Sequence, residues 1–193
     1  MSRTYAMLDL EFTSLDLQQA HLTEWGIVVF DPLTFTPTLE FGRRCGVAQE
    51  FWDPTTLDWA RKKLASEVYN EVAPKDVHSE YFKERRKFLF ALFSTLEQLV
   101  QTYGKDKLHI VVNHPECDVT LLRNQYKMFG LDYPIHYQNH KDMDSLMMAA
   151  AGSLYDYYYA GWEDQKGIGA PHTAVADCLI QIQKLKFFGV ELP

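Results

Sequence analysis

The fold of this 193-residue chain is decided by its first apolar stretch, Tyr5-Ala-Met-Leu-Asp9-Leu-Glu11-Phe12. The run from Tyr5 to Leu10 predicts a buried strand. Side chains alternate across a strand, so Asp9 and Glu11 project from one face while their apolar neighbours project from the other. Two such carboxylates repel each other, and burial without a cation makes that repulsion costly. The pair therefore indicates either a metal site or an exposed strand end at which both acids are solvated.

The rest of the chain predicts an α/β fold with a central mixed sheet flanked by helices. Three further strands are predicted at Trp25–Phe30, Thr36–Phe41 and Leu108–Val112. Helices are predicted from Leu57 to Ala65 after a capping signal at Asp53, from Ser79 to a stop at Gly104, from Asp118 to Phe129, from Met143 to Ala151 and from Ala174 to Phe188. No repeat or flexible linker interrupts this order, so residues 1–193 are predicted to form a single domain.

Composition and charge limit the class of protein. Hydrophobic residues make up 47% and charged residues 23% of the chain, which is typical of a compact globular protein. The 26 acidic residues exceed the 19 Lys and Arg residues, giving a formal net charge of −7. That balance argues against a protein held to nucleic acid by a large basic face. It does not exclude nucleic acid as a substrate, because a carboxylate site for divalent metals is negative until the metals bind.

Cysteine usage and hydropathy indicate a cytoplasmic protein. The three cysteines, Cys45, Cys117 and Cys178, are widely spaced and form no CxxC pair, which argues against a disulfide framework or a Cys-rich zinc site. The N-terminal apolar run is too short for a signal peptide, and no run of about 18 apolar residues predicts a transmembrane helix. We therefore expect a reducing, cytosolic location without membrane attachment.

More candidate ligands lie far along the chain. Asp118 follows the strand ending near Asn113, where α/β sheets place functional groups, although an Asp in a first helical turn also suits the helix dipole. His172 and Asp177 are about 140° apart on a helix, so they converge only if His172 lies in the preceding loop. Thr173 is a suitable N-cap, which places His172 just outside the helix and Asp177 in its first turns.

These residues carry a family resemblance. Asp9-Leu-Glu-Phe-Thr-Ser-Leu-Asp16 resembles the first motif of the DEDDh 3′→5′ exonucleases, especially the DLEMTGLD form of oligoribonucleases. Leu22-Thr-Glu-Trp-Gly-Ile-Val-Val-Phe-Asp31 is similar to the second strand of the family, usually written IxEIG. Asn113-His-Pro-Glu-Cys-Asp118 resembles the second motif, and His172-Thr-Ala-Val-Ala-Asp177 has the spacing of the HxAxxD third motif. The resemblance runs from the first strand to the last helix.

A narrower resemblance concerns the subgroup. Thr56-Leu-Asp-Trp-Ala-Arg-Lys-Lys-Leu is similar to the TIxWWxxQ segment of the phage exonuclease A and mycobacterial exoribonuclease-like branch. The second motif of that branch often reads WGNGPxFD, whereas this chain has Val111-Val112 for the Trp-Gly pair, His114 for a Gly and Cys117 for the Phe. These departures leave the preferred nucleic acid open and leave the five proposed catalytic positions intact.

The resemblance implies an RNase H-like fold with a mixed five-stranded sheet and a two-metal mechanism. Two Mg²⁺ or Mn²⁺ ions prefer oxygen ligands and clamp the attacking and leaving oxygens of an in-line displacement. By resemblance, Asp9 bridges the ions, Glu11 and Asp177 complete one site, and Asp118 holds the second ion. His172 is the implied general base, because an imidazole with a pKa of about 6.5 accepts a proton near neutral pH.

The substrate contacts are expectations with open alternatives. By resemblance, Phe12, Thr13, Leu15 and Asn113 contact the terminal nucleotide, although loop packing explains the first three equally well. The aromatic run from Tyr155 to Tyr159 with Trp162 suits a stacking platform, a core or a subunit contact. The basic segments Arg61–Lys63 and Lys83–Lys87 suit either a nucleic-acid backbone or a solvated helix face.

The sequence thus predicts a metal-dependent 3′→5′ exonuclease that releases nucleoside 5′-monophosphates from single-stranded DNA or RNA. Oligoribonuclease-like degradation of short RNA is a close competitor. A nucleic-acid-binding module of the same fold with weak turnover is the alternative from another class, and a small-molecule phosphatase is a third. Such exonucleases are often dimers, so a homodimer is compatible with the resemblance, although no residue defines an interface.

Overall fold

The computed structural model describes residues 3–56, 69–70, 79–153, 161–162 and 173–192. Its strands are β1 (Thr4–Phe12), β2 (Leu22–Phe30), β3 (Pro37–Arg44), β4 (Val47–Ala48), β5 (Tyr69–Asn70), β6 (Leu108–Val112) and β7 (His140–Asp142). The described helices are α1 (Glu80–Tyr103), α2 (Pro115–Met128), α3 (Met143–Ala151) and α4 (Ala174–Phe187). None of the helices within these ranges is long and apolar enough to cross a membrane.

The main sheet has five strands in the order β3-β2-β1-β6-β7. The first three strands pair antiparallel, whereas β6 pairs parallel with both β1 and β7. A separate parallel pair joins β4 to β5. This mixed five-stranded sheet with flanking helices confirms the predicted fold class. The apolar pattern did not predict β7, because His140, Lys141 and Asp142 are polar. These residues form a strand through their pairing with β6.

Helices cover both faces of the sheet. On one face, α1 and α2 pack with Leu8, Leu10 and neighbouring apolar residues in the larger core cluster. On the other face, α3 and α4 pack with Tyr5, Met7 and Val28. Because both faces are covered, every residue of β2 is buried. The two faces of β1 therefore meet different helices, and the face that carries Asp9 and Glu11 meets α4.

Within the described residues, the predicted helix boundaries hold to within one residue except at the start of α2. α3 has the predicted bounds, α4 ends one residue early, and α1 lies between Ser79 and Gly104 as expected. α2 begins at Pro115, three residues before the predicted start at Asp118, because a proline is well suited to the first turn of a helix. The Asp53 carboxylate accepts the backbone N–H groups of Thr55 and Thr56 as a cap, while the predicted helix at residues 57–65 lies outside the described residues.

α4 approaches the sheet closely at two glycines. A Cβ on Gly26 would lie 2.5 Å from the carbonyl carbon of Ala174, which is backbone, whereas a Cβ on Gly42 would meet the side chain of Val175. Backbone cannot move aside without shifting the helix, but a side chain can change its rotamer. Gly26 is therefore the position that lets the first turn of α4 rest on β2.

We predict that Gly26→Ala lowers the free energy of unfolding by about 1–3 kcal/mol, because overpacking forces a backbone shift. Urea denaturation monitored by circular dichroism measures the change. Gly42→Ala is the matched control and costs less, since Val175 can rotate. Equal losses in the two variants would contradict this account.

Candidate active site

Asp9 and Glu11 lie on the same face of β1, as predicted, and each faces a distinct partner on β2. Asp9 lies opposite Gly26, and Glu11 lies opposite Glu24. Opposed like charges destabilise an antiparallel pair. Arg44, which lies opposite Glu24 on β3, compensates part of this repulsion, since its Nε donates to Glu24 Oε2 at 2.8 Å. Glu11, Glu24 and Arg44 therefore form a row across three neighbouring strands, in which the Arg44 guanidinium neutralises part of the negative charge.

Glu24 also fixes the start of α4. Its Oε1 accepts the backbone N–H of Ala174 at 3.1 Å, and the carboxylate is buried. The first N–H groups of a helix lack partners within the helix, so this acceptor satisfies a donor that would otherwise be buried alone. The Thr173 hydroxyl accepts the Ala176 N–H as the predicted N-cap. The first turn of α4 is thus bound to β2 through the Ala174 N–H and capped by its own Thr173 hydroxyl.

This anchoring brings Asp177 to the two acids of β1. Carboxylate oxygens of Asp9, Glu11 and Asp177 all lie within 4.8 Å of one another. Asp118 approaches from α2, where it is buried and accepts the backbone N–H of Leu10. Among the surrounding acids, Asp118 raises the pKa of Asp9 more than Glu11 or Asp177 does. The structure therefore brings all four predicted acids together.

Burial raises the pKa values of these acids, and repulsion between carboxylates adds to the shift at Asp9 and Glu11. Burial, followed by the charges of Asp118, Glu11 and Asp177, raises the pKa of Asp9 well above its usual range. Burial and the charges of Asp177 and Glu24 raise the pKa of Glu11 to about 8. Burial raises the pKa of Asp118 to about 7, although backbone N–H donors oppose the shift. The cluster thus favours protons or cations that neutralise it.

The donor set fits a hard divalent cation. The group with metal-binding spacing in the described residues consists of carboxylates alone, and it is partly exposed, so water and a phosphate oxygen can reach it. Mg²⁺ and Mn²⁺ prefer such oxygen ligands to thiolate. The nearby Cys178 thiol is buried and donates to the Gly26 carbonyl instead. The residues present therefore suit Mg²⁺ or Mn²⁺.

Gln181 is a neighbour of the cluster that the sequence did not single out. It lies one helical turn after Asp177 on α4, so the two side chains share a face. Its Nε2 donates to Asp9 Oδ1 at 2.9 Å, and its Oε1 is buried without a partner in the described residues. The i to i+4 spacing from Asp177 was the available sequence signal. Glu24 was likewise quoted only as part of a strand motif, and its role depends on the helix that folds onto it.

The other predicted site residues occupy varied positions. Leu15 is 80% exposed, and Phe12 is partly buried against the core. Thr13 is fully buried, and its hydroxyl accepts the backbone N–H of His21, so its side chain has a structural partner. Asn113 lines a cavity with Met143, Trp162 and Lys184.

Some predictions fall on residues outside the described ranges. These are His172, Arg61–Lys63 and the Tyr155–Tyr159 run. Trp162 is described, and its ring packs against Phe187 with the ring centroids 5.3 Å apart. Within the segment Lys83–Lys87, Lys83 and Lys87 form ion pairs with Glu80 and Glu84 on α1, which favours the solvated-face interpretation for these two lysines.

Comparison with known proteins identifies the family. The 3′-5′ exoribonuclease Rv2179c-like domain matches residues 4–188. The chain belongs to this family. These residues therefore form a 3′-5′ exonuclease domain, as the motifs predicted. No curated protein matches the chain.

Solved structures of DEDDh-type nucleases share the fold. The nuclease domain of 3′hExo, a DEDDh family member bound to rAMP, is 12% identical with a TM-score of 0.63, covering 100% of this chain and 96% of that one. E. coli exonuclease I in complex with a dT13 oligonucleotide is 14% identical with a TM-score of 0.65, covering 99% of this chain and 42% of that one. Cell-death related nuclease 4 (CRN-4) is 16% identical with a TM-score of 0.61, covering 96% of this chain and 63% of that one. The chain thus spans less than two thirds of two of these three.

We predict that the metal-free protein loses stability as pH rises. A raised pKa means that the folded state holds protons that the unfolded state releases. The protonated Glu11 and Asp118 carboxyls therefore contribute their full stabilisation below about pH 4, and this contribution is lost as pH rises through about 7 to 8. In EDTA, the melting temperature should fall by at least about 2–4 °C between pH 5.5 and 8.5, the shift that 1 kcal/mol gives at this size. Glu11→Gln should flatten this fall, and an unchanged slope in that variant would contradict the assignment.

We predict that Gln181→Met weakens Mn²⁺ binding about tenfold, because loss of a hydrogen bond to a metal ligand typically costs this much. The side chain keeps its length but no longer orients the Asp9 carboxylate. Calorimetric titration with Mn²⁺ measures the affinity. Gln183→Met, on the same helix and outside the acidic cluster, serves as the control. An affinity equal to that of the unmodified protein would refute the orienting role.

Proposed function

We propose that the protein removes nucleotides one at a time from the 3′ end of single-stranded nucleic acid and releases nucleoside 5′-monophosphates. The convergence of Asp9, Glu11 and Asp177 within 4.8 Å, with Asp118 beside them, is the observation that carries this proposal. RNA is the preferred substrate, since the matching family is described as exoribonuclease. Single-stranded DNA is the second candidate, favoured by the likeness to exonuclease I bound to dT13.

Two divalent cations, Mg²⁺ or Mn²⁺, would when bound supply the positive charge that activates water and stabilises the reacting phosphate. Asp9, Glu11 and Asp177 would hold divalent cations together with Asp118 beside them. Gln181 keeps the Asp9 carboxylate oriented through its 2.9 Å hydrogen bond. Glu24 keeps Asp177 in place by anchoring the first turn of α4. The four acids therefore act as one unit whose geometry depends on where α4 sits.

His172 is proposed as the general base. In the sequence it directly precedes Thr173, the N-cap of the helix that carries Asp177. Its imidazole accepts a proton from the attacking water, whose oxygen bonds to the terminal phosphorus. The bond from phosphorus to the 3′ oxygen of the preceding nucleotide breaks, and that oxygen takes up a proton. Phe12, Leu15 and Asn113 are proposed contacts of the terminal nucleotide, and Thr13 supports their loop.

The proposed cellular setting follows from the cysteines. Cys45, Cys117 and Cys178 are all free thiols. Such thiols are typical of a reducing cytosol, where we place this enzyme. A homodimer remains part of the proposal, and sedimentation velocity measures it directly.

Digestion of 5′-labelled RNA and DNA oligonucleotides tests the proposal. We predict a ladder of single-nucleotide steps with Mg²⁺ or Mn²⁺, faster on RNA, that disappears in EDTA. Asp9→Asn should abolish it, and His172→Ala should slow it about 10²- to 10⁴-fold, the usual contribution of a general base.

Asp132→Asn, an exposed acid outside the cluster, is the matched control and should retain full activity. Binding of oligonucleotides without shortening would favour the weak-turnover module instead. Faster hydrolysis of a nitrophenyl phosphate than of any oligonucleotide would favour a phosphatase.

A further inference from the structure

A cavity of about 240 Å³ lies on the α1 and α2 side of the sheet, away from the face that carries the acids. Its walls include His21, Phe51, Tyr81, Phe82, Arg86 and Met128. Pockets for drug-sized ligands usually exceed about 300 Å³, so this cavity suits a smaller, ring-sized group. We call it the aromatic groove.

The rings of the aromatic groove are arranged before any ligand binds. The centroids of His21 and Phe51 lie 4.9 Å apart, and those of Tyr81 and Phe82 lie 5.0 Å apart at nearly right angles. The Tyr81 hydroxyl accepts the backbone N–H of Ala48 at 3.1 Å, which fixes that ring. Rings held in place lose little entropy when a planar group stacks on them. Phe51 is nevertheless 36% exposed, so one ring remains accessible.

Arg86 supplies an uncommitted positive charge at the aromatic groove. It is exposed and has no hydrogen bond or ion pair within the described ranges, whereas Lys83 and Lys87 on the same helix are paired with glutamates. Arg85 is buried, and its guanidinium donates to the Cys45 carbonyl. A free guanidinium beside stacked rings in a protein of net charge −7 complements a phosphate joined to a base.

The aromatic groove is continuous with the loop that follows the acidic strand. A neighbouring cavity shares His21 and Phe51 with it and is also lined by Ser14 and Asp16. These two residues belong to the loop after β1, the strand that carries Asp9 and Glu11. A single strand whose 3′ end lies at the acids can therefore follow this loop to the groove.

We propose that the aromatic groove binds an upstream nucleotide of the single-stranded substrate, with its base on Phe51 and His21 and its phosphate at Arg86. This inference rests on the proposed exonuclease function and extends it to substrate length. An aromatic peptide could stack on the same rings, but it has no phosphate to pair with the Arg86 guanidinium. The groove thus makes the enzyme favour oligonucleotides long enough to span from the acids to Phe51.

Substrates of increasing length test the inference. In the unmodified protein, kcat/KM should rise with length from a dinucleotide to a ~10-nucleotide RNA. Phe51→Ala should lower the ratio of kcat/KM for the long substrate to that for the dinucleotide about tenfold, the usual effect of losing one base stack. Arg86→Ala should reduce the slope of log Kd against log salt by roughly 0.7, as expected for one lost phosphate contact to a single strand. Tyr137→Ala and Lys87→Ala are the controls.

A second measurement locates the base without relying on turnover. Fluorescence anisotropy in EDTA gives the affinity for oligonucleotides that carry one abasic position each. One upstream abasic position should weaken binding to the unmodified protein about tenfold and leave binding to Phe51→Ala unaltered.

The outcomes separate the two proposals. If the unmodified protein neither shortens nor binds oligonucleotides, the proposed function fails. If it shortens them but Phe51→Ala affects every length equally, or the abasic positions are equivalent, the aromatic groove is not a nucleotide site. Competition of binding by an aromatic peptide but not by RNA would also overturn the inference.

Discussion

The contact between the first turn of α4 and strand β2 is the constraint on which the rest of the site depends. Gly26 allows the helix backbone to reach the sheet, and Glu24 accepts the Ala174 N–H that this approach would leave buried. Asp177 and Gln181 follow on the same face of the helix and thereby meet Asp9. A small residue and a buried carboxylate on one strand thus determine where Asp177, far along the chain, comes to lie.

The acidic cluster makes the metal-free fold less stable than it would be with neutral side chains. Burial raises the pKa values of Asp9, Glu11 and Asp118, neighbouring carboxylates raise those of Asp9 and Glu11 further, and Arg44 partly offsets the shift at Glu11. A bound cation offsets this loss of stability, because its positive charge reverses the sign of the local electrostatic field. The same repulsion that strains the free protein therefore supplies affinity for divalent ions. Stability and metal binding are linked through these side chains.

The sheet separates two kinds of chemistry. Carboxylates from β1 and α4 meet Asp118 of α2 at one site, whereas the aromatic groove is lined by α1, α2, His21 and Phe51. The loop from Thr13 to His21 joins the two regions, and its backbone is held by the hydrogen bond from Thr13 N–H to the His21 carbonyl. The net charge of −7 does not show this division, because it sums over the whole chain, whereas Arg86 is a single positive charge at the groove. Overall charge is a poor guide to nucleic-acid contact in such a fold.

The sequence by itself determined the strand of β1, the bounds of α3 and the motifs that carry Asp9, Glu11, Asp118 and Asp177. Those features depend on local alternation, apolar periodicity and spacing, which are properties of neighbouring residues. Only the tertiary structure decided the roles of Glu24 and Gln181, the strand β7 and the aromatic groove. Glu24 needs a helix start 150 residues away, β7 needs the edge of β6, and the groove needs residues from four separate segments. Contacts between distant segments produce no periodic pattern in the sequence, so only the folded structure shows them.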